Sequence, residues 1–214
     1  MEQIMRTRLV PVVVLDRAED AVPLAEALLA GGLEAMEVTF RTAAAAEAIR
    51  RVTQSMPRMF IGAGTLLTPD AVKQAADAGA RFGLAPGLNE KVIVAARQAG
   101  LMFVPGVMTP SDVERGLDLG CKLQKFFPAE TAGGAKMLQA LAGPYAHTGV
   151  RFVPTGGINA ANMAGYLALP VVAAIGGSWF VERSFIAARN FTRITELTKQ
   201  AVTIAQQTPV GSNP

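Results

Sequence analysis

The sequence predicts an α/β protein built as a single-domain (β/α)₈ TIM barrel over residues 1–206. Short apolar stretches alternate with alanine-rich amphipathic stretches eight times. The units lie 20 to 29 residues apart, and glycine, proline and hydroxyl residues recur where the apolar stretches end. An open doubly wound sheet is the competing architecture. Loops gathered around one common mouth account better for the recurring strand-end residues, which favours the barrel.

Each unit combines a strand signal with a helix signal. Pro69 opens a helix that Gly79 closes, and Gly100 closes the next one. After the last strand we expect one long helix over 184–206, followed by a flexible C-terminal tail, 207–214. The eight strands are expected to begin near Leu9, Glu34, Met59, Arg81, Met102, Lys122, Arg151 and Val171.

Composition excludes several classes of protein. Half of the 214 residues are hydrophobic and only 17% are charged, which excludes disordered, collagen-like and disulfide-stapled chains. The single cysteine, Cys121, cannot form an internal disulfide, and the single histidine, His147, argues against a histidine-rich metal site. The net charge is +3 without a basic cluster, so we expect an anionic small molecule as ligand and no nucleic acid.

One segment imitates a membrane span. Residues 152–181 carry no formal charge, but Pro154, Pro170 and five glycines would leave broken backbone in lipid. Near the start, residues 9–15 are apolar, but no small-residue cleavage site follows them. The sequence therefore predicts a protein without a membrane segment, located in the cytoplasm.

The second predicted strand carries polar residues at alternate positions. Glu37, Thr39 and Arg41 share one face, and apolar residues occupy the other. An exposed edge strand would give the same pattern. In a closed barrel the apolar face packs against the helices, so the polar face points to the mouth, where charges persist only when they are paired or used.

The sixth predicted strand contains the lysine that stands out in this chain. Leu123, Lys125 and Phe127 share a face, and of the six lysines only Lys125 lies within an apolar strand ending. A lysine that extends its amine to solvent is the ordinary explanation. Phe127 and Pro128 indicate a dry pocket instead, in which burial disfavours the ammonium form. A neutral amine is what Schiff-base chemistry requires.

Two glycine-rich turns follow the last two predicted strands, at Gly156-Gly157 and at Gly176-Gly177-Ser178. Gly-Gly pairs are common in tight turns, so either pair alone is weak evidence. After strands seven and eight of a barrel, however, backbone N–H groups often bind a phosphate. The placement of the two turns therefore favours a phosphate site.

With these motifs in place, the chain resembles the 2-dehydro-3-deoxy-6-phosphogluconate (KDPG) aldolase family, which includes 4-hydroxy-2-oxoglutarate (KHG) aldolases. The similarity runs from about Val10 to the final helix. Five motifs carry it in order, and they are Glu37-Val38-Thr39-Phe40-Arg41-Thr42, Gly62-Ala63-Gly64-Thr65, Lys125-Phe126-Phe127-Pro128-Ala129-Glu130, Pro154-Thr155-Gly156-Gly157-Ile158 and Gly176-Gly177-Ser178-Trp179.

The resemblance implies a class I aldolase of the Entner–Doudoroff pathway, a homotrimer that uses neither metal nor cofactor. It implies that Lys125 forms a Schiff base with the substrate and that Glu37 moves protons. The products would be pyruvate and glyceraldehyde 3-phosphate. The substrate would contact Arg41, Thr65, Pro86, Phe127 and Thr155, and its phosphate would bind Gly156, Gly157, Gly176, Gly177 and Ser178.

Three other functions remain open at this point. The galactonate-series aldolase uses the same chemistry on the C4 epimer, although Thr155 and Arg41-Thr42 favour the gluconate enzyme. Cleavage of unphosphorylated KHG would leave the phosphate site empty. A non-catalytic barrel that binds a phosphorylated metabolite would keep the glycine turns without needing Glu37 or Lys125. Metal-dependent phosphate-binding epimerases need several histidines, so they are excluded.

Overall fold

Strands and helices alternate along the chain in a computed structural model that describes residues 2–211. The strands are β1 (Leu9–Val13), β2 (Ala35–Thr39), β3 (Phe60–Gly64), β4 (Phe82–Leu84), β5 (Met102–Val104), β6 (Gly106–Val107), β7 (Leu123–Phe126), β8 (Arg151–Phe152) and β9 (Ile175–Gly177). The helices are α1 (Glu2–Thr7), α2 (Ala21–Ala30), α3 (Ala45–Ser55), α4 (Pro69–Asp77), α5 (Glu90–Gln98), α6 (Pro110–Asp118), α7 (Gly134–Ala142), α8 (Met163–Leu167), α9 (Arg183–Ala187) and α10 (Phe191–Gln207), with 3₁₀ turns at Ala18–Asp20 and Gly143–Thr148.

The strands close into a barrel. Neighbouring strands pair in parallel in the orders β5-β4-β3-β2-β1-β9 and β6-β7-β8. The chain joins the two runs at Pro105, and two parallel bridges, Phe152 to Val172 and Thr155 to Gly176, join β8 to the β9 region. The predicted (β/α)₈ barrel is therefore confirmed, and the open doubly wound sheet is wrong.

Two strand predictions need correction. The fifth strand is divided into β5 and β6 because Pro105 has no N–H for the ladder, yet its carbonyl still accepts from the Lys125 N–H at 2.8 Å. The eighth strand begins at Ile175 instead of Val171. Residues 171–173 pair with β8 only as a single bridge, in which the Phe152 N–H donates to the Val171 carbonyl at 2.8 Å and the Ala173 N–H donates to the Phe152 carbonyl at 2.9 Å.

The single long helix predicted over 184–206 is wrong, because the segment forms α9 and α10. Arg189 adopts a left-handed φ of +52°, which interrupts the helix, and the Asn190 side chain accepts from the Arg193 N–H at 3.1 Å to cap α10. The last helix ends at Gln207. The predicted tail, 207–214, falls partly on residues 212–214, which lie outside the described residues, so it stays a prediction.

Two apolar clusters leave one end of the barrel polar. The larger cluster lies between strands and helices. A smaller one includes the first residues of β2, β3 and β4, and it consists of Ile4, Val10, Ala35, Phe60, Phe82, Leu84, Val104, Val153 and Ala174. The buried charged residues Glu37 and Lys125 lie further along their strands. Within residues 2–211, no helix combines the length and apolar character needed to cross a bilayer.

Candidate active site

β2 places Glu37 in the interior of the barrel. Met36 and Val38 belong to the cluster under the helices, so strand alternation turns Glu37 and Thr39 to the interior. Glu37 is opposite Gly62 in the neighbouring strand. The Thr39 hydroxyl donates to the Val13 carbonyl at 2.9 Å, which ties β2 to β1 beside the carboxylate.

β7 brings Lys125 to the same place. Only 5% of Lys125 and 1% of Glu37 is exposed. The Lys125 Nζ lies 3.7 Å from Glu37 Oε1 and 5.4 Å from the centroid of the Phe127 ring. Among the ion pairs of the described residues, this is the only one in which both side chains are buried. A lysine extended to solvent is therefore excluded.

The Glu37 carboxylate is a candidate proton carrier. Neither of its oxygens has a hydrogen-bond partner among the described residues. Burial raises the pKa of Glu37 above its ordinary value, and the positive charge of Lys125 opposes that rise in part. A buried carboxylate with a raised pKa beside an amine is a better proton acceptor than an exposed carboxylate, and it can return the proton during a reaction.

The raised pKa makes a prediction about stability. The folded chain holds the Glu37 proton more tightly than the unfolded chain, so the free energy of unfolding should fall as pH rises from the ordinary value of 4.5 through the raised pKa. Glu37→Gln lacks this titration. In thermal unfolding, the melting temperature of the variant minus that of the wild type should increase with pH across this window. A difference that stays constant or shrinks would contradict the assignment.

Gly64 provides the space for the Glu37 carboxylate. β3 pairs Gly64 with Thr39, and a Cβ atom on Gly64 would lie 1.9 Å from Glu37 Oε1. In the sequence, Gly64 stands out only as part of the Gly62-Ala63-Gly64-Thr65 motif, without this role. The register between β2 and β3, which the sequence alone does not fix, is the signal that identifies it.

Gly64→Ala should therefore displace the Glu37 carboxylate and lower kcat by at least about tenfold, as expected when a catalytic group is misplaced. Steady-state cleavage of KDPG, the substrate that the family resemblance implies, measures the effect. Gly143→Ala is the matched control, because Gly143 has right-handed backbone angles and nothing within 4 Å of its Cβ position. A Gly64→Ala enzyme as active as this control would show that Glu37 needs no such space.

Thr65 and Arg41 lie just beyond the carboxyl ends of β3 and β2. Thr65 has a left-handed φ of +58°, a strained conformation for a β-branched residue. Such strain concentrates at functional sites. Arg41 is exposed and makes no ion pair or hydrogen bond within residues 2–211, so its guanidinium is available for an anionic ligand. Pro86, after β4, is half-buried at the same end of the barrel.

The first glycine turn follows β8 and lies against Phe127. Gly156 and Gly157 have left-handed φ values of +104° and +77°. A Cβ atom on Gly156 would lie 3.4 Å from Phe127 Cε2. Among residues 2–211, neither glycine donates its N–H to a protein acceptor, so both N–H groups are available for an anion.

The second glycine turn adjoins the first. Thr155 is buried and bridges Gly176, whose Cβ position lies 2.3 Å from the Thr155 hydroxyl. Gly177 accommodates Trp179, because a Cβ atom there would lie 1.8 Å from the indole ring. Ser178 is exposed just beyond β9. The contacts thus connect Lys125 with Glu37 and Phe127, and Thr155 with Gly176. Within residues 2–211, Arg41 and Ser178 form no hydrogen bond or ion pair with these residues.

Side chains that can ligate metals are not clustered in the described part of the chain. Residues 2–211 contain no group of three histidine, cysteine, aspartate or glutamate residues that could hold a metal ion. Cys121 is half-buried and burial raises the pKa of its thiol, so it is not an activated nucleophile. His147 is exposed within the 3₁₀ turn before β8.

Comparisons with known proteins identify the family of this chain. The family model "KDPG and KHG aldolase" matches residues 1–197. A 2-dehydro-3-deoxy-phosphogluconate aldolase of Treponema pallidum is 49% identical, over 95% of this chain and 96% of its own. A KHG/KDPG aldolase of Escherichia coli K12 is 47% identical, over 90% of each chain.

A solved structure adds a chemical observation. The KDPG aldolase of Legionella pneumophila, with pyruvate captured as a covalent carbinolamine intermediate, is 41% identical to this chain. It superposes with a TM-score of 0.88, over 94% of this chain and 98% of its own. Because the family model and these relatives match nearly the whole chain, the protein belongs to the KDPG and KHG aldolase family.

Proposed function

We propose that this protein is a class I aldolase that cleaves KDPG to pyruvate and glyceraldehyde 3-phosphate through a Schiff base on Lys125. By the same chemistry it cleaves KHG to pyruvate and glyoxylate. The observation that carries the proposal is the buried pair of Lys125 and Glu37, with 3.7 Å between amine and carboxylate. A buried lysine beside a proton carrier is the arrangement that Schiff-base formation requires.

The reaction begins with attack of the neutral Lys125 amine on the C2 ketone of the substrate. Water leaves the carbinolamine, and the resulting iminium withdraws electrons from C3. Glu37 supplies the proton for dehydration and then, directly or through one water, accepts the proton of the C4 hydroxyl. The C3–C4 bond breaks, the aldehyde leaves, and an enamine remains. Glu37 returns that proton to C3 of the enamine, and hydrolysis of the iminium by water then releases pyruvate and free Lys125.

Residues around the pair orient the substrate. Arg41 and Thr65 bind the pyruvate carboxylate, an assignment supported by the unpaired guanidinium and by the strained backbone at Thr65. Pro86 and Phe127 form the walls of the pocket. The distal hydroxyls and phosphate bind Thr155, Gly156, Gly157, Gly176, Gly177 and Ser178, which is supported by the free N–H groups of the first glycine turn.

The protein works without a metal or cofactor in this proposal, because the imine itself is the electron sink. Family resemblance supports a place in the Entner–Doudoroff pathway, in the cytoplasm, and a homotrimeric assembly. Light scattering of the purified protein should give the mass of three chains. The mass of a single chain would contradict the trimer without affecting the chemistry.

Borohydride reduction in the presence of pyruvate tests the proposal. We expect peptide mass analysis to find a reduced pyruvyl adduct on Lys125. A folded protein that forms no adduct would overturn the aldolase assignment in favour of a non-catalytic barrel that binds phosphorylated metabolites. Cleavage assays with KDPG, its galactonate epimer and KHG then identify the substrate, and faster cleavage of the epimer would assign the protein to the galactonate series.

A further inference from the structure

Glu130 lies between the first glycine turn and α8. Its segment continues the pairing of β7 with β8, because the Ala129 N–H donates to the Thr155 carbonyl at 2.8 Å. The Glu130 N–H donates to the Gly156 carbonyl at 3.0 Å. The backbone of the proposed phosphate turn is therefore held by the residues that follow the Lys125 strand.

The aliphatic part of the Glu130 side chain packs directly against Gly157. A Cβ atom on Gly157 would lie 2.6 Å from Glu130 Cβ and 2.8 Å from Cγ. Gly157 also needs its left-handed φ of +77° to present its N–H in this turn. The conformation of the turn therefore depends on where the Glu130 side chain is held.

Tyr166 holds the other end of that side chain. Its hydroxyl donates to Glu130 Oε1 from a position in α8 where only 1% of the residue is exposed. Burial, and then the Glu130 carboxylate, raise the pKa of Tyr166, so it remains a donor at neutral pH. The bond keeps the carboxylate on the side of Gly134, whose Cβ position lies 3.4 Å from Oε1.

The hydrogen-bonded residues Tyr166 and Glu130 take no part in the proposed steps at Lys125. A carboxylate released from Tyr166 could rotate toward the free N–H groups of Gly156 and Gly157, where it would compete with an anionic ligand. The same α8 region also fixes the turn through Asn162, whose side-chain amide donates to the Gly157 carbonyl at 3.1 Å.

We propose that Tyr166 and Glu130 are positioning residues that hold the Gly156-Gly157 turn in its phosphate-binding shape and so determine the preference for phosphorylated substrates. Neither residue needs to touch the substrate. This inference rests on the proposed function, because it requires the phosphate to bind at that turn.

Tyr166→Phe tests the inference while keeping the buried ring. With KDPG, KM should rise about tenfold and kcat should stay within about twofold, since a hydrogen bond to a charged group is lost. With the unphosphorylated counterpart, 2-dehydro-3-deoxygluconate, KM and kcat should both remain unchanged. Borohydride trapping with pyruvate should proceed at the wild-type rate.

Two further variants separate positioning from general damage. Glu130→Gln keeps the side-chain length and an oxygen that accepts from Tyr166, so it should retain wild-type KM within about twofold. Tyr145→Phe is the matched control, because the Tyr145 hydroxyl also donates to a glutamate, Glu114 of α6, at 2.9 Å. This control should leave KM and kcat unchanged for both substrates.

The outcomes distinguish the inference from the function on which it rests. If Tyr166→Phe changes KM equally for both substrates, or for neither, the positioning role is wrong and the proposed function stands. If the wild-type enzyme itself does not prefer the phosphorylated substrate, the phosphate assignment is wrong and the inference fails with it.

Discussion

Lys125→Met is expected to abolish aldol cleavage, with kcat lower by at least about 10⁴-fold, the scale of losing a covalent catalyst. Methionine preserves most of the side-chain volume beside Phe127 but cannot form an imine. The variant should still fold, because burial raises the pKa of Glu37 and allows that carboxyl to be neutral once the amine is gone. Steady-state cleavage of KDPG measures the loss.

Lys122→Met is the control for this substitution. Lys122 is exposed three residues before Lys125, so removing its charge alters the same strand region without touching the buried pair. It should retain wild-type kcat and the borohydride-trapped adduct with pyruvate, whereas Lys125→Met should lose both. Trapping of pyruvate on another lysine in Lys125→Met would show that the Schiff base forms elsewhere.

The fold could be predicted because strand and helix segments differ in the spacing of their apolar residues. Alternation of apolar stretches with amphipathic stretches gave the order of strands and helices, and parallel strands with intervening helices admit few closed arrangements. The errors fell where a single residue interrupts an element. Pro105 divides a strand, and the left-handed Arg189 divides the last helix.

The candidate site could be predicted in part, for reasons that differ between residues. Glu37 and Lys125 stand out in sequence because a charge in an apolar strand needs a partner or a use. The distance between them depends on barrel closure, which brings β2 and β7 to one mouth although they are far apart in the chain. The space at Gly64 and the bond from Tyr166 to Glu130 depend on register and on side-chain packing, which residue types do not encode.

Glu37→Gln is expected to lower kcat by about 100-fold or more, the usual scale of acid–base assistance. Glutamine fits the space beside Gly64 and keeps the size of the side chain, but it can neither accept the C4 hydroxyl proton nor protonate the carbinolamine. In D₂O, NMR should show that exchange of the pyruvate methyl protons slows by a similar factor, because enamine formation needs the same carboxylate.

The raised pKa of Glu37 adds a pH dependence to this prediction. Where the ionised carboxylate acts as base, wild-type kcat should rise with pH through that raised pKa. Glu37→Gln should lose this rise of kcat with pH.

Glu34→Gln is the matched control, since Glu34 precedes β2 at the opposite end of the barrel and pairs there with Arg6 and Arg58. It should leave kcat and proton exchange unchanged. A Glu37→Gln enzyme with near-normal kcat and exchange would remove Glu37 from the proton path and leave that role to water or to the Lys125 amine, the remaining proton carrier at the buried pair.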